Sequence, residues 1–307
     1  MKRQITNIPA SVRQRLQDLA KERKEEFNFI LTRFVAERLL YRLSTSAFSK
    51  DFVLKGAMLF LLWNQHGHRS TRDIDLLGFG EHSISRLEEV FRTVCGIHCP
   101  SDGLEFVTES VRGDLIKEGD EYEGVRIVAT ALLGVARISL QIDIGFGDAV
   151  TPGPEEVIFP VLLQSENLPA PRLTVYPKET VVAEKLETIV RRGLSNSRMK
   201  DYYDLWVLME QFQFSEAVLV EAVRRTFKRR STVITGGVPT GLTKEFGLDS
   251  VKIAQWSAFT RKIGAGNTPP PLLDVIGRLH DFLFPILEAA KNDVSKALRS
   301  YPVPDQG

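Results

Sequence analysis

The stretch ARISLQIDIGF, residues 136–146, limits the fold more than any other part of the chain. Ile138, Leu140, Ile142 and Ile144 alternate with Arg137, Ser139, Gln141 and Asp143. That period of two gives a strand one apolar and one polar face. The apolar row requires a sheet with a buried side. Asp143 then emerges on the opposite side.

A second segment sharpens the requirement. In RSTRDIDLLGFG, Asp73 and Asp75 stand two apart, with Ile74 and Leu76 between and after them. Residues two apart on a strand share a face, so the two carboxylates project together while Ile74 and Leu76 point to the core. Two such charges repel, and burying them unpaired costs several kcal/mol, roughly. A divalent cation removes the conflict; Mg²⁺ takes oxygen ligands, commonly one or two carboxylates plus substrate phosphates. If the two strands are neighbours, Asp143 joins the cluster, and a site of that kind can hold two metals. The competing reading pairs Asp73 and Asp75 with arginines such as Arg69, Arg72 or Arg137. Upstream, LKGAMLFLL places Gly56 in a turn before a helix start, where backbone N–H groups face an anion and Lys55 adds a positive charge.

The rest of the chain supplies the setting. The first residues carry apolar side chains at helical spacing (Val12, Leu16, Leu19, then Ile30, Phe34, Leu39, Leu43), which predicts two helices. Phe52–Lys55 reads as a short entry strand, followed by the Gly56 turn and an apolar helix ending near Gly67. ISRLEEVFRTVCGI has helical spacing, and LEFVTESVRGDLI and YEGVRIVATALLG read as strands. The prolines from Pro152 through Pro171 and Pro177 mark a boundary, since proline neither pairs inside a sheet nor continues a helix. Four further helices follow: KETVVAEKLETIVRRGL, SRMKDYYDLWVLMEQF, SEAVLVEAVRRTFKRR, and a last one interrupted or kinked at Pro285. The expected organisation is N-terminal helices over 1–50, a sheet-bearing core over 51–175 and a helical region over 176–307, an α+β chain.

Composition excludes several classes. With 43% hydrophobic and 26% charged residues, the 307-residue chain is expected to be a soluble globular protein. No apolar run is long enough for a transmembrane helix, and the N-terminus lacks the apolar core of a secretory signal, so a cytoplasmic location with no membrane partner is expected. The net charge of +1 neither requires nor excludes nucleic acid. Cys95, His98 and Cys99 crowd too closely for tetrahedral zinc, and no second cluster completes such a site. His66 and His68 have no partner at ligand spacing either.

Together, KGA, RSTRDIDLLGFG and LQIDIGFGDAV resemble the core of the nucleotidyltransferase superfamily, whose pattern is a Gly-rich turn, an hDhDh strand and a lone Asp on another strand. A narrower match is YPKETVVAEKLETIVRRGLSNSRMKDYYDLW, which resembles the C-terminal signature of the AbiEii/AbiGii toxin family. The two blocks run from about Phe52 to Leu208. The resemblance implies a polymerase-β-like mixed sheet with flanking helices. It implies that Asp73 and Asp75 bind Mg²⁺ (or Mn²⁺), and that Asp143 completes the set or acts as base. Gly56 with Lys55 would cradle the phosphates of an NTP. Lys185 would reach those phosphates, oriented with the substrate by Asp204 and Asp201, and Ser70 and Thr71 would sit beside the metal, where modification would block catalysis. The turn departs from the family pattern: Gly56-Ala57 stands where Gly-Gly or Gly-Ser is common, which removes one hydroxyl contact to phosphate.

The same resemblance implies a metal-dependent nucleotidyltransferase toxin of a toxin–antitoxin or phage-defence system, transferring a nucleotide to an RNA, the tRNA 3′ end in some members, with a cognate antitoxin as partner. Basic clusters at Arg191-Arg192, Arg198 with Lys200, Arg224-Arg225 and 227–230 suit an RNA acceptor and suit solvated helix faces equally. Bland readings stand beside each role: Lys185 as a solvated helix lysine, Asp201 and Asp204 as surface pairs with Arg198, Lys200 or Arg191, Asp148 as a turn residue, Tyr202 and Tyr203 as packing. Two rival functions remain, transfer to a protein or small-molecule hydroxyl and a non-enzymatic interaction protein of the same fold.

Overall fold

The computed structural model describes residues 7–63, 71–118, 121–165, 167–263 and 268–299. The chain begins with α1 (Ile8–Arg23) and α2 (Phe27–Thr45), then β1 (Phe52–Lys55). One 3₁₀ turn from Gly56 leads into α3 (Phe60–Trp63). Next come β2 (Asp73–Gly78), α4 (Ile84–Cys95), β3 (Leu104–Glu118), β4 (Glu121–Leu133) and β5 (Ala136–Phe146). Two short strands follow, β6 (Glu155–Ile158) and β7 (Arg172–Val175). The remainder is helical: α5 (Lys178–Arg192), α6 (Met199–Gln211), α7 (Glu216–Arg229), α8 (Lys244–Leu248), α9 (Ser250–Thr260) and α10 (Leu272–Arg299). Gly67, where the apolar helix was expected to end, lies outside the described residues.

By contacts the chain forms two compact units. One takes in residues up to Gly147 together with Glu155–Val175; the other takes in Asp148–Pro154 and the residues from Tyr176 onward. The N-terminal helices pack within the first unit, α2 against β5, β7 and α4.

The first unit holds a mixed seven-stranded sheet in the order β3-β4-β5-β2-β1-β7-β6. β2 lies parallel to β5 and antiparallel to β1, while β3, β4 and β5 form an antiparallel meander. The alternation in β5 does what its sequence requires: Leu140, Ile142 and Ile144 are buried, as are Ile74 and Leu76 of β2 and Val125, Ile127 and Ala129 of β4. Each fully buried aliphatic side chain of this kind contributes about 1.5–3 kcal/mol. The opposite face of the same strands is left to polar residues.

Three features differ from or narrow the sequence reading. The proline-rich passage contains β6 and β7, with β7 paired in parallel beside β1. Its prolines fall outside the hydrogen-bonded positions, and Pro171 contributes its carbonyl to Phe159 N–H at 2.9 Å. Each strand is only four residues long, too short for alternation to stand out, and β6 is the largely exposed edge of the sheet. Pro285 does not interrupt α10, which runs through it. Helices α8 and α9 had no counterpart in the sequence reading. α9 starts on an Asp249 cap that accepts from Lys252 N–H at 2.9 Å, and it buries Lys252 and Trp256 while exposing Val251 and Ile253, so its pattern carries no clean apolar stripe.

Helix α2 is tied into this unit by buried charge. Asp102 is fully buried and accepts from Arg38 Nε at 3.1 Å, Arg42 Nη1 at 2.7 Å and the Leu104 N–H at 3.0 Å. Immediately before Arg38, buried Glu37 accepts from Arg33 Nε and from the Leu162 N–H, both at 2.9 Å. Burial pushes the Glu37 carboxyl up from 4.5 to about 7, against the lowering effect of Arg33 and the Leu162 N–H. Because the folded state holds this proton more tightly than the unfolded chain, the associated stability is present below the unfolded value and is lost as pH rises through about 7. Glu37→Gln removes the titration. Its unfolding free energy relative to wild type, measured by urea denaturation, should rise by about 1–3 kcal/mol between about pH 5 and about pH 8. A difference independent of pH would contradict the assignment.

Candidate active site

The polar face of the sheet gathers charge along one row. Asp114 of β3 is the register partner of Arg126 on β4, Arg126 of Asp143 on β5, Asp143 of Asp75 on β2, and Asp75 of Lys55 on β1. Register partners project to the same side, so five strands contribute to a single line of acid, base, acid, acid, base. Asp73 stands one pleat away, paired with Gln141. The three carboxylates expected to cluster are therefore adjacent, two by spacing along β2 and the third by parallel pairing with β5.

Arg126 governs this row. Its Nε donates to Asp143 Oδ1 and its Nη2 to Asp143 Oδ2, each at 2.8 Å, and Gln141 Nε2 donates to Oδ2 at 3.2 Å. Such a forked pair fixes both charge and orientation. The Arg126 pKa is raised above its ordinary value, first by the hydrogen bond to Asp143 and then, against partial burial, by the charges of Asp143, Asp73 and Asp75. All three carboxylates thus act on one guanidinium. The sequence offered arginine partners for Asp73 and Asp75 and none for Asp143; the arginine that pairs with Asp143 lies in YEGVRIVATALLG, which reads only as a strand. Leu133 pairs with Ala136 across a two-residue turn, and counting seven residues out along each arm reaches Arg126 and Asp143. That register was the available signal.

Gly56 has a geometric necessity. Its φ is +74°, a left-handed value that favours glycine, and a side chain built there would run into the Asp75 carboxylate. The missing Cβ lets Asp75 lie against the turn that follows β1. Ala57 is buried. Thr71 Oγ1 donates to the main-chain carbonyl of Asp73 at 3.5 Å. Ser70 lies outside the described residues, as do His66, His68 and Arg69.

In the second unit, α5 and α6 build a separate buried set. Lys185 Nζ donates to Asp201 Oδ1 at 2.8 Å and Asp204 Oδ2 at 2.7 Å. Arg198 Nε donates to Asp201 Oδ2 at 2.7 Å. Asp204 and Asp201 are only 0% and 2% exposed, so these are not the solvated pairs that their helical spacing alone allowed. Burial pushes the Asp201 carboxyl up, but Lys185 and Arg198 outweigh it and hold the group below its usual value. Tyr202 and Tyr203 are fully buried, with Tyr202 donating to the Gly241 carbonyl at 3.1 Å. Asp148 is not a turn residue: it pairs with Arg230 at 3.3 Å, and Arg230 also reaches Glu184 at 3.3 Å and Glu187 at 3.0 Å.

The oxygen-only donor set of Asp73 and Asp75 suits a hard divalent cation completed by phosphate oxygens. Asp143 has both oxygens engaged by Arg126, and among the described residues no three His, Cys, Asp or Glu side chains stand together in a metal-holding arrangement. The residues present therefore fit a two-carboxylate site that needs its substrate to complete it.

A mixed sheet with flanking helices and a carboxylate row beside a glycine turn is an α+β fold of the nucleotidyltransferase type. The chain belongs to the AbiEii family, described as nucleotidyl transferase AbiEii toxin of a type IV toxin–antitoxin system, which it matches over residues 38–281. Nucleotidyl transfer is the activity class that this membership assigns. Among solved structures, the chain is similar to JHP933 from Helicobacter pylori, at 14% identity over 87% of this chain and 93% of that one, with a TM-score of 0.46. It is also similar to a putative nucleotidyltransferase from H. pylori, at 14% identity over 86% and 94%, with a TM-score of 0.44. No curated protein sequence matches. Among the described residues, no helix is long and apolar enough to cross a membrane.

Gly56→Ala tests the close approach of Asp75. A methyl there would sit 2.6 Å from Asp75 Cγ and 2.7 Å from Cβ, so the carboxylate must move. A shift of ~1 Å in a catalytic group can lower turnover about 100-fold, while the strained φ destabilises the fold by about 1–3 kcal/mol. Circular dichroism and urea melts should show a folded, moderately weakened protein with nucleotide transfer nearly abolished. Wild-type transfer by this variant would refute the role of the turn.

Proposed function

We propose that this protein is a metal-dependent nucleotidyltransferase toxin that moves a nucleotide from an NTP to an RNA acceptor, the tRNA 3′ end, and so blocks translation. The observation that carries the reading is the direct opposition of Asp75 and Asp143 on neighbouring parallel strands, with Asp73 one pleat away and the Gly56 turn against Asp75. Asp73 and Asp75 would hold Mg²⁺ or Mn²⁺. When bound, such an ion neutralises the triphosphate and favours the deprotonated acceptor hydroxyl. The Gly56 turn and Lys55 receive the phosphates, and Thr71 lines the approach. Asp143, fixed by Arg126, keeps negative charge directed at the same place. Lys185, held by Asp201 and Asp204, is given its charge role toward the phosphates by the family signature.

In the transfer, the acceptor hydroxyl oxygen forms a bond to the α-phosphorus in line with the bond that breaks. Pyrophosphate leaves, and the hydroxyl proton passes to solvent. Positioning and charge compensation supply most of the catalysis in such a step. The toxin–antitoxin description of the family supports a protein antitoxin as partner, and NTP and tRNA as substrates place the activity in the cytoplasm.

A second reading has an observation in its favour. Several arginines of the basic clusters are paired with acids inside their own unit: Arg191 with Glu187, Arg198 with Asp201, Arg224 with Glu221 and Arg230 with Glu187. Those charges are less available to RNA phosphates, which favours a protein or small-molecule hydroxyl as acceptor. Purified protein incubated with Mg²⁺ and each labelled NTP, with and without total tRNA, separates the two. Label on tRNA that disappears in Asp73→Ala is the expected result. Label on protein or metabolite alone rejects RNA as acceptor, and no label from folded protein under any condition rejects the enzyme.

A further inference from the structure

We infer that Arg126 is a built-in counter-cation that occupies Asp143 and keeps the carboxylate row from binding a divalent ion by itself, so that the metal enters together with the triphosphate. This inference rests on the metal-dependent reading above and gives Arg126 a role in metal binding that the reading does not contain.

Three observations carry it. Arg126 engages both oxygens of Asp143 at 2.8 Å, which leaves the third carboxylate already compensated. It stands in register beside Asp143, which is itself in register with Asp75, so its charge acts on Asp73 and Asp75 as well as on Asp143. It is placed by an unbroken register from the turn between β4 and β5, with no bulge along the ladder from Leu133 to Val125, so the pairing is a property of the sheet.

The physical consequence is competition. A positive charge among three carboxylates lowers the attraction of the site for any second cation. Asp73 and Asp75 alone then offer a weak site, which phosphate oxygens strengthen by supplying ligands. Arg126 also holds Asp143 at a fixed angle through both of its oxygens. Asp73 and Asp75 would then hold the ion firmly only when triphosphate oxygens complete its ligand set.

The test is the affinity of the nucleotide-free protein for Mn²⁺ alone, read from the electron paramagnetic resonance signal of free Mn²⁺ during titration. Arg126→Ala should bind Mn²⁺ at least about tenfold more tightly than wild type, the equivalent of one decade in dissociation constant. Arg126→Lys, which keeps the charge, should lie closer to wild type than to the alanine variant. The double variant Arg126→Ala with Asp143→Asn should return toward the wild-type affinity, because the released carboxylate is then neutral. Thermal melts confirm that each variant is folded. If Asp73→Ala abolishes Mn²⁺ binding but folded Arg126→Ala binds no more tightly than wild type, the inference fails and the metal reading survives. Should no variant, nor wild type with or without NTP, bind Mn²⁺, both fail together.

Discussion

Two carboxylates side by side on parallel strands are the constraint around which the first unit is organised. Neighbouring strands lie ~4.8 Å apart, and two unit charges at about 5 Å repel by about 3 kcal/mol in the effective dielectric of a protein surface. Asp75 and Asp143 are held in that relation by an unbroken parallel ladder from Asp73 to Gly78, so neither can relax away without losing sheet hydrogen bonds. Their aliphatic neighbours Ile74, Leu76, Ile142 and Ile144 are buried on the other face. A one-residue slip would exchange the two faces and bury the acids. The hydrophobic layer thus fixes the register that keeps the repulsion in place.

Compensation is correspondingly local. Lys55 flanks Asp75 from β1 and Arg126 flanks Asp143 from β4, each by register pairing, so the acids sit between two cations on one line. Arg126 is 41% exposed and Asp143 21%, which makes the pair accessible enough to respond to a charged ligand. It contrasts with the Asp102 cluster in the same unit, where Arg38 and Arg42 are 2% and 1% exposed and no substrate can compete. Buried fully, such a charge group serves architecture. Half-open, it can exchange partners. The difference in burial separates anchor from site more clearly than residue type does.

Much of this was legible in the chain itself, for reasons that particular elements make plain. β5 and β2 announce their faces because alternation over several residues has no helical equivalent, and the two acids on β2 share a side by geometry alone. Their adjacency to Asp143 was legible only as a condition, since strand order is decided by the whole sheet. β6 and β7 were hidden by their four-residue length and the prolines around them. Arg126 was recoverable by counting from the Gly134-Val135 turn, but only on the assumption of a ladder without bulges. That assumption holds between β4 and β5 and fails between β3 and β4, where the register shifts between Ile116 and Lys117, before Arg126 is reached. Counting would have found the partner on one side and missed it on the other.

The second unit shows the same ambiguity in basic sequence runs. Arg191-Arg192 and the segment ending at Arg230 read as surfaces for a polyanion, yet Glu187, with no exposed side-chain surface, accepts from Arg191 at 3.1 Å and from Arg230 at 3.0 Å. Thr232 adds a third hydrogen bond to the same carboxylate at 2.6 Å. Burial alone would disfavour the charge on Arg230, but Glu184, Asp148 and Glu187 together hold its pKa above the ordinary value. Removing any one of these acids would leave a half-buried cation underpaired, a costlier change than loss of an exposed salt bridge. Arg191 near the end of α5 and Arg230 after α7 therefore answer first to carboxylates in their own unit. Attraction for a nucleic acid has to be argued from cations that remain after that internal pairing, and charge counted along the sequence overstates it.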